Sequence, residues 1–285
     1  MKCLAPEAKA ASGSSLDKSE SVRARGVRGQ RAFTLMELLV VIFIIGVLAA
    51  LLSTAFNNTK AKGQKVSCLN NLKNLQLSWW LYLDENDNYL ALNKSVPGTL
   101  NERFFGRPNS TNSWVAGTPK ADTSPANLRK GTLFPYTRAD ALYRCPSDRS
   151  TVLGHDDLPR TRSYSMSAYL AGDEEGLDPR VKIKESELAD PSPDKIFVYI
   201  EEHESSSWLG SFRILPRERF TLAAGTWAST PSDRHNQGCN LTFADCHAEY
   251  WKWYWPKKPN LETKLTSNGH ELRDLWRLQN SVPKQ

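Results

Sequence analysis

Four titratable side chains in the second half of the sequence are candidates for acid–base or metal chemistry. They are Asp148, Glu202, His235 and Asp245. Their spacing matches no zinc site, because the histidines lie apart and the cysteines form no C-x-x-C pair. The sequence also lacks the G-x-S-x-G, H-E-x-x-H and P-loop motifs. We therefore predict no metal site and no catalytic residue, and a structural role in which His235 bonds to the turn that Asp245 shapes.

One further carboxylate, Glu37, stands where a charge is costly. It directly precedes fifteen residues without a polar side chain, Leu38 to Leu52. A charged group at the centre of a membrane costs about 2.5–3.5 kcal/mol, less near the interface, and such groups usually have a partner. Glu37 therefore needs a partner or a function.

The apolar segment around these residues is long enough to cross a membrane. With its flanks it runs from Phe33 to Phe56, which is 24 residues. A helix of that length rises about 36 Å, against a hydrocarbon core of about 30 Å. The first 32 residues carry +4 of the net charge of +6. Basic residues before a span predict a cytoplasmic N-terminus and an exported C-terminal part, and they do not form the basic patch on a folded domain that nucleic-acid binding needs.

Two ordinary explanations of the span are a removable secretory signal and a plain membrane anchor. The small residues Ser53, Thr54 and Ala55 offer a cleavage site. Cleavage there would release 55 residues, well beyond the usual signal length of roughly 15 to 30. Neither explanation accounts for Glu37.

The nine residues from Ala32 to Val40, AFTLMELLV, resemble the processing signal of type IV prepilins and type II secretion pseudopilins. In that family a small residue, usually glycine, precedes an F-T-L-x-E start; Ala32 and the long leader are departures. The resemblance implies that a prepilin peptidase/methyltransferase cleaves between Ala32 and Phe33 and methylates the new amine of Phe33. It also implies that Glu37 pairs with the terminal amine of a neighbouring pilin or pseudopilin subunit.

A second helical pattern follows the span. From Lys60 to Leu83, apolar side chains recur at steps of three and four, which predicts an amphipathic helix. The positions are Val66, Leu69, Leu72, Leu75, Trp79, Trp80 and Leu83. We expect the membrane helix to continue into it, with a bend near Asn57, Asn58 or Gly63. The predicted organisation is thus a cleaved leader 1–32 and a helix 33–83 whose membrane part is 33–56.

The residues after the helix, 84–285, are predicted to form an exported globular head. Five prolines between Leu90 and Tyr143 interrupt any helical or strand spacing of apolar residues and indicate loops. The best-marked later elements are a strand Lys195–Glu202, a hairpin within 235–255 and a short surface helix Glu271–Asn280. In the strand, Ile196, Val198 and Ile200 are expected on one face. The predicted fold class is α+β and pilin-like, a long N-terminal helix packed on a small antiparallel sheet.

The hairpin carries a second resemblance. Nine residues separate His235 from Asp245, as in the H-X9-DG domain that accompanies prepilin-type signals, but Cys246 replaces the glycine. An Asp-Gly pair favours a type I′ turn, and a cysteine in its place would need a positive φ. A stretch that contains Cys145 and Asp148 resembles another part of the same group. The predicted structural motif comprises His235, Asp245, Cys145 and Asp148. Calcium binding by His235, Asp245, Asp148 and Glu202 is the alternative, because pseudopilin relatives include calcium-dependent members.

The cysteines bear on the compartment. Cleavage of the leader would remove Cys3 and leave Cys68, Cys145, Cys239 and Cys246. An even number in an exported domain permits disulfides. A two-residue turn at residues 244–245 would place Cys239 opposite Tyr250 rather than Cys246. We therefore predict a Cys68–Cys145 bond that ties the helix to the head.

The tryptophans of the hairpin alternate along one strand face. Exposed, Trp251, Trp253 and Trp255 would form a platform for sugars or a partner protein. Buried, they would close the core against Trp79 and Trp80. Burial is the expectation, because large apolar patches are rare on the surface of a folded domain.

Two classes of function follow. The first is a structural subunit of the bacterial inner membrane, single-pass with a periplasmic head, that assembles into a type II secretion pseudopilus or a type IV pilus-like fibre. The alternative is a membrane-tethered binding module that uses the prepilin signal for delivery and recognises a glycan or an exported protein. Neither class requires enzymatic activity or a cofactor, and neither predicts a nucleic-acid partner.

Overall fold

The computed structural model describes residues 33–96, 108–173, 176–207, 209–215, 217, 225–257 and 264–285. The predicted leader, 1–32, lies outside the described residues. The chain divides into two compact units, Met1–Leu52 and Ser53–Gln285.

The first described element is helix α1, Leu35–Glu85, which is 51 residues long. Its length and position confirm the predicted long helix. The stretch Leu35–Leu52 is apolar and long enough to cross a membrane, and none of it is buried within the chain. Helical structure is uninterrupted through Asn57, Asn58 and Gly63, and the bend expected there stays a prediction.

In the second unit, the C-terminal part of α1 buries one face. The buried residues recur at steps of three and four, as in an amphipathic helix. They are Cys68, Leu72, Leu75, Gln76, Trp79 and Leu83. The predicted face is therefore confirmed, except that Val66 is 54% exposed. Cys68, two residues later, is the first fully buried residue of this face.

The described part of the second unit contains nine strands. They are β1 Thr151–Val152, β2 His155–Pro159, β3 Tyr164–Ser167, β4 Phe197–Glu201, β5 Ser211–Phe212, β6 Thr226–Trp227, β7 Gly238–Phe243, β8 Ala248–Lys252 and β9 Lys264–Leu265. Two further helices are α2, Phe134–Thr137, and α3, Gly269–Gln279. Single 3-10 turns lie at Leu128–Lys130, Asp140–Tyr143, Glu185–Glu187 and Pro193–Lys195.

A five-stranded sheet in the order β5-β3-β4-β7-β8 forms the centre of the second unit. Its strands are antiparallel except for the parallel pair β3 and β5. One core cluster joins α1 to the sheet, through residues such as Trp79 and Tyr199. A second joins α3 to the sheet, through residues such as Leu275 and Leu241. The architecture is thus α+β, as predicted, and is consistent with a pilin-like fold.

Strand β4 contains a bulge that changes which side chains face α1. Its pairing with β7 shifts by one residue between Phe197 and Ile200, as an inserted residue does. Ile196 and Val198 therefore belong to the core cluster on the α1 side, whereas Ile200 belongs to the other. The expectation that these three share one face is wrong. After the bulge, Glu201 contacts Cys68 of α1.

The hairpin of β7 and β8 confirms the predicted element but not its expected register. Cys239 lies opposite Trp251, one residue beyond Tyr250. The reason is the loop: Phe243 donates to the carbonyl of His247, which leaves three residues in the loop rather than two. The last of them, Cys246, has φ +75°. A left-handed residue at this position is typical of three-residue hairpin loops.

Candidate functional sites

Three reciprocal hydrogen bonds between Thr34 and Glu37 cap the start of α1. The backbone N–H and the hydroxyl of Thr34 each donate to Oε2 of Glu37, both at 2.9 Å. The backbone N–H of Glu37 donates to Thr34 Oγ1 at 3.2 Å. This is a capping box, which satisfies N–H groups that a helix start leaves open. Its signature, T-x-x-E, is present in the sequence at Thr34–Glu37 and would have predicted the cap.

The capping box leaves Glu37 with capacity for a further partner. Both of its bonds from Thr34 end on Oε2, and Glu37 is exposed. Phe33, the predicted first residue of the processed chain, is 72% exposed. Ala32, on the other side of the predicted cleavage point, lies outside the described residues. The geometry is therefore compatible with a second, external partner for the carboxylate.

A second site lies inside the head, where four side chains converge from four separate segments. They are Cys68 on α1, Cys145 after the 3-10 turn Asp140–Tyr143, Glu201 at the end of β4, and His235 before β7, and all four are buried. One ligand atom from each lies within 4.8 Å of all the others. Nε2 of His235 is 2.9 Å from Oε1 of Glu201 and 3.4 Å from Sγ of Cys145. Sγ of Cys68 contacts Glu201 Oε1 and lies 3.2 Å from Oη of Tyr164.

These positions bear on two predictions. Cys68 and Cys145 are free thiols, so the structure brings the predicted pair together without the predicted bond. The expectation of no metal site rested on spacing along the chain, and the four donors meet only because the fold places their segments together. The acid that joins the cluster is Glu201 and not its neighbour Glu202. Glu202 accepts hydrogen bonds from Ser165 and Ser206 instead.

The local backbone positions each member of the cluster. The carbonyl of Cys145 accepts from the N–H of Asp148, in a tight turn that also directs the N–H of Ser147 at Cys145 Sγ, 3.4 Å away. Two consecutive left-handed residues, Asn236 and Gln237, turn the chain from His235 into β7. The bulge in β4 directs Glu201 to the α1 side. Each ligand atom thus depends on a specific turn, bulge or helix position.

Hydrogen bonds and charges within the cluster shift the pKa values of its members. Burial by itself would lower the pKa of His235, but its bonds to Cys145 and Glu201 raise it to about 9. Burial would raise the pKa of Glu201, yet the hydrogen bond and charge of His235 hold it below its usual value. The bond with Cys68 lowers the pKa of the Cys145 thiol, whereas burial raises the pKa of the Cys68 thiol. Without a bound ion, His235 and Glu201 form an imidazolium–carboxylate pair.

Of the predicted structural motif, the structure brings three residues together and leaves one apart. Asp148 accepts from the hydroxyl of Ser163, which in turn accepts from the N–H of Cys145 at 3.1 Å. Asp245 lies in the β7–β8 loop, where it accepts from the N–H of His247. Strand β7 separates it from His235, because six extended residues span about 20 Å. The predicted bond between His235 and the Asp245 turn is therefore wrong.

Comparisons with known proteins bear on the first of these sites. Residues 27–53 match the family described as "Prokaryotic N-terminal methylation motif". This is a prepilin-type signal. The match spans the predicted cleavage point, the capping box and the apolar stretch of α1. No curated protein and no solved structure matches the chain. The signal and the apolar helix support a membrane-anchored, prepilin-like subunit of a surface or secretion system.

Trp251 of β8 and Trp253, which directly follows the strand, lie in the core. Trp251 and Trp253 are buried and pack with Leu275 and Leu278 of α3. They do not pack against Trp79, which lies in the core cluster on the α1 side of the sheet. The expected burial is confirmed for these two rings, and the expected neighbour is wrong. Two of the three rings of the hypothetical exposed platform, Trp251 and Trp253, are therefore unavailable for binding.

Proposed function

We propose that the protein is a structural subunit of a type II secretion pseudopilus or a type IV pilus-like fibre. A prepilin peptidase cleaves between Ala32 and Phe33 and methylates Phe33, and α1 then mediates assembly with other subunits. The observation that carries this proposal is the methylation motif at residues 27–53. We assign the protein no enzymatic activity and no nucleic-acid partner.

The exposed surface of α1 supports assembly through the helix. Within Leu35–Leu52 no residue is buried in the chain, and an apolar surface of this size requires a covering of lipid or of other protein. Before processing, the bilayer provides that covering. In a fibre, the same stretch of neighbouring subunits takes its place.

The leader explains why processing precedes assembly. Its seven basic residues hold the N-terminus at the cytoplasmic face. Cleavage removes them and creates a positive amine on Phe33. Glu37 is already held in the capping box through Oε2, and its carboxylate then pairs with the amine of an adjacent subunit. Two charges that are costly separately in an apolar environment offset each other when paired.

The head is the part on which the alternative function depends. A tethered binding module would need an exposed recognition surface, and the burial of Trp251 and Trp253 removes most of the aromatic face that suggested one. His235 and Asp245, whose spacing resembles that of the H-X9-DG domain, instead lie beyond opposite ends of the buried strand β7. Both features are typical of a head with a rigid core. We propose that this head lies in the periplasm and is anchored by the single-pass helix.

The test is the N-terminus of the protein after expression with a prepilin peptidase. We expect mass spectrometry of the membrane-extracted chain to find N-methylated Phe33 as its first residue. The variant Ala32→Leu, which places a bulky residue at the cleavage point, is expected to keep the leader, and Ala32→Gly to be processed at least as completely as the wild type. A chain that begins at Met1 would indicate a plain tether, and one that begins at Phe56 a secreted product; either result contradicts the proposal.

A further inference from the structure

We propose that Cys68, Cys145, Glu201 and His235 bind one transition-metal ion in the head, with Zn²⁺ as the best-fitting ion. The proposal does not depend on assembly or on processing, because all four residues lie within the unit Ser53–Gln285. It rests on three observations, which are the donor set, its geometry and the groups that support it.

The donor set is the first observation. Two sulfurs, one imidazole nitrogen and one carboxylate oxygen make four protein donors, the number found in closed, structural zinc sites. Thiolate sulfur selects zinc and other soft or borderline metals over calcium and magnesium, which take oxygen ligands. This donor set differs from the calcium alternative, which concerned His235, Asp245, Asp148 and Glu202.

The geometry is the second observation. In a tetrahedral site with zinc–sulfur bonds of about 2.3 Å and zinc–nitrogen bonds of about 2.0–2.1 Å, sulfur and nitrogen donors lie roughly 3.5 Å apart. The separation of Cys145 Sγ and His235 Nε2 is 3.4 Å. Nε2 and Glu201 Oε1 are 2.9 Å apart, and every pair of donors falls within 4.8 Å. One small cation at their centre can reach all four with modest side-chain shifts.

The surroundings of the donors are the third observation. Metal ligands are normally oriented by hydrogen bonds from groups outside the coordination sphere. The N–H of Ser147 points at Cys145 Sγ, and the N–H of Asn240 donates to Glu201 Oε2 at 3.0 Å. Because Oε2 of Glu201 accepts the bond from Asn240, Oε1 is the oxygen that faces the cluster. The hydroxyl of Tyr164 lies 3.2 Å from Cys68 Sγ.

The charge of a bound cation can be balanced within the site. Without the cation, the carboxylate of Glu201 pairs with the imidazolium of His235, and the two thiols are hydrogen-bonded to neighbouring groups. With a divalent cation, two thiolates and one carboxylate leave a net charge of −1. The guanidinium of Arg234, which is largely buried and also pairs with Asp148 and Glu204, interacts electrostatically with Glu201 and Cys145 and partly offsets that charge.

A metal here would fasten α1 to three other segments of the head. The ligands come from α1, the turn after residue 143, the end of β4 and the turn before β7. Binding energy at such a site is folding energy, because the unfolded chain does not hold the ligands together. The ion would link α1 to the head, which is the role predicted from the sequence for a Cys68–Cys145 disulfide.

The test uses the full chain, purified in detergent under reducing conditions and loaded with Co²⁺ or Zn²⁺. We expect one metal per chain, and with Co²⁺ a sulfur-to-cobalt charge-transfer band together with the visible bands of tetrahedral cobalt. This spectrum needs no variant and so is independent of any folding defect. Metal bound without the sulfur-to-cobalt band, or no stoichiometric metal, would overturn the proposal.

Variants and the redox state sharpen the test. Cys145→Ser, close in size to the native residue, is expected to lose the metal and the charge-transfer band. Cys246→Ser removes an exposed thiol outside the cluster and is expected to keep both. Peptide mass mapping of the protein isolated from the periplasmic side, without reductant, must find Cys68 and Cys145 unbridged. A disulfide between them, or full metal content in Cys145→Ser, contradicts the proposal.

Discussion

Two properties of Glu37 can be separated by substitution, its capping of α1 and its negative charge. In Glu37→Gln the amide oxygen keeps the capping bond, because glutamine also serves in a capping box, but the charge is lost. We expect this variant to be processed at Phe33 and to fail to form fibres, as judged by electron microscopy of sheared cell-surface material and by sedimentation.

The matched control for this prediction is Thr34→Ala. It removes the hydroxyl that Glu37 shares and keeps the charge, at a cost of about 0.5–2 kcal/mol to the helix start. We expect Thr34→Ala to assemble. If Glu37→Gln assembles as well as the wild type, the carboxylate acts only as a cap and the pairing with a neighbouring amine is wrong.

Cys246 is strained by its own backbone. Its φ of +75° is a left-handed conformation that costs a non-glycine residue about 1–2 kcal/mol. Glycine adopts it freely but loses about 0.4–1 kcal/mol to the greater freedom of the unfolded chain. We expect Cys246→Gly to stabilise the head by about 0.5–1 kcal/mol, measured as a higher midpoint of urea unfolding.

The control here is Cys246→Ala, which removes the thiol and keeps the strained backbone. It is expected to change the unfolding midpoint little. A loss of stability in both variants would mean that contacts of the Cys246 thiol outweigh the backbone strain.

Single residues show where sequence reasoning reaches its limit. The functions predicted for Glu37 and Phe33 stay predictions, but they follow from a contiguous motif, and residues 27–53 match the corresponding family. The capping box was also local and could have been found from T-x-x-E. The proximity of Cys68 and Cys145 was predicted, but the presence of Glu201 and His235 beside them was not, because these residues are far apart in the chain and no local motif links them.

At the scale of elements, α1 offers a matched pair of leucines two residues apart. Leu75 is fully buried and Leu77 is 56% exposed. We expect Leu75→Ala to cost about 2–5 kcal/mol, the usual range for a buried leucine, and Leu77→Ala less than about 0.5 kcal/mol. The measurement is urea unfolding of the detergent-solubilised chain, followed by tryptophan fluorescence.

The nine tryptophans all lie beyond residue 78, so the fluorescence reports on the unit that contains the sheet. Equal costs for the two substitutions would show that this face of α1 is assigned wrongly. A larger cost for Leu77→Ala would place the core on the opposite side of the helix.

Elements were predicted correctly where apolar residues recur at a regular spacing. They were predicted wrongly where the sequence does not show which face of a strand each side chain occupies. The buried face of α1 followed from steps of three and four. In β4 every residue is buried, so alternation could not reveal the bulge that separates Val198 from Ile200. In the hairpin, one additional loop residue shifted the register by one. Phase errors of this kind explain why Glu202 was named in place of Glu201, since neighbouring strand residues face opposite sides.

The fold of the whole molecule was predictable at the level of class. An apolar stretch, an amphipathic continuation and strands near the C-terminus sufficed to predict an α+β chain with a long first helix. The order of strands was not predictable, because β3, β4 and β7 are neighbours in the sheet but are separated by long loops. The site in the head depends on that order, since β4 and the segments beside it supply its ligands.

The proposed metal predicts how the stability of the whole head responds to a chelator. An ion that binds only the folded state stabilises it by about 2.7 kcal/mol when present at 100 times its dissociation constant. For a unit of this size, each kcal/mol corresponds to about 2–4 °C in the unfolding midpoint. We expect removal of the metal from the reduced full chain to lower the midpoint by roughly 5–10 °C, and added Zn²⁺ to restore it. The Cys145→Ser variant should show neither effect. An unchanged midpoint in the wild type would mean that the four side chains hold α1 to the sheet by hydrogen bonds alone.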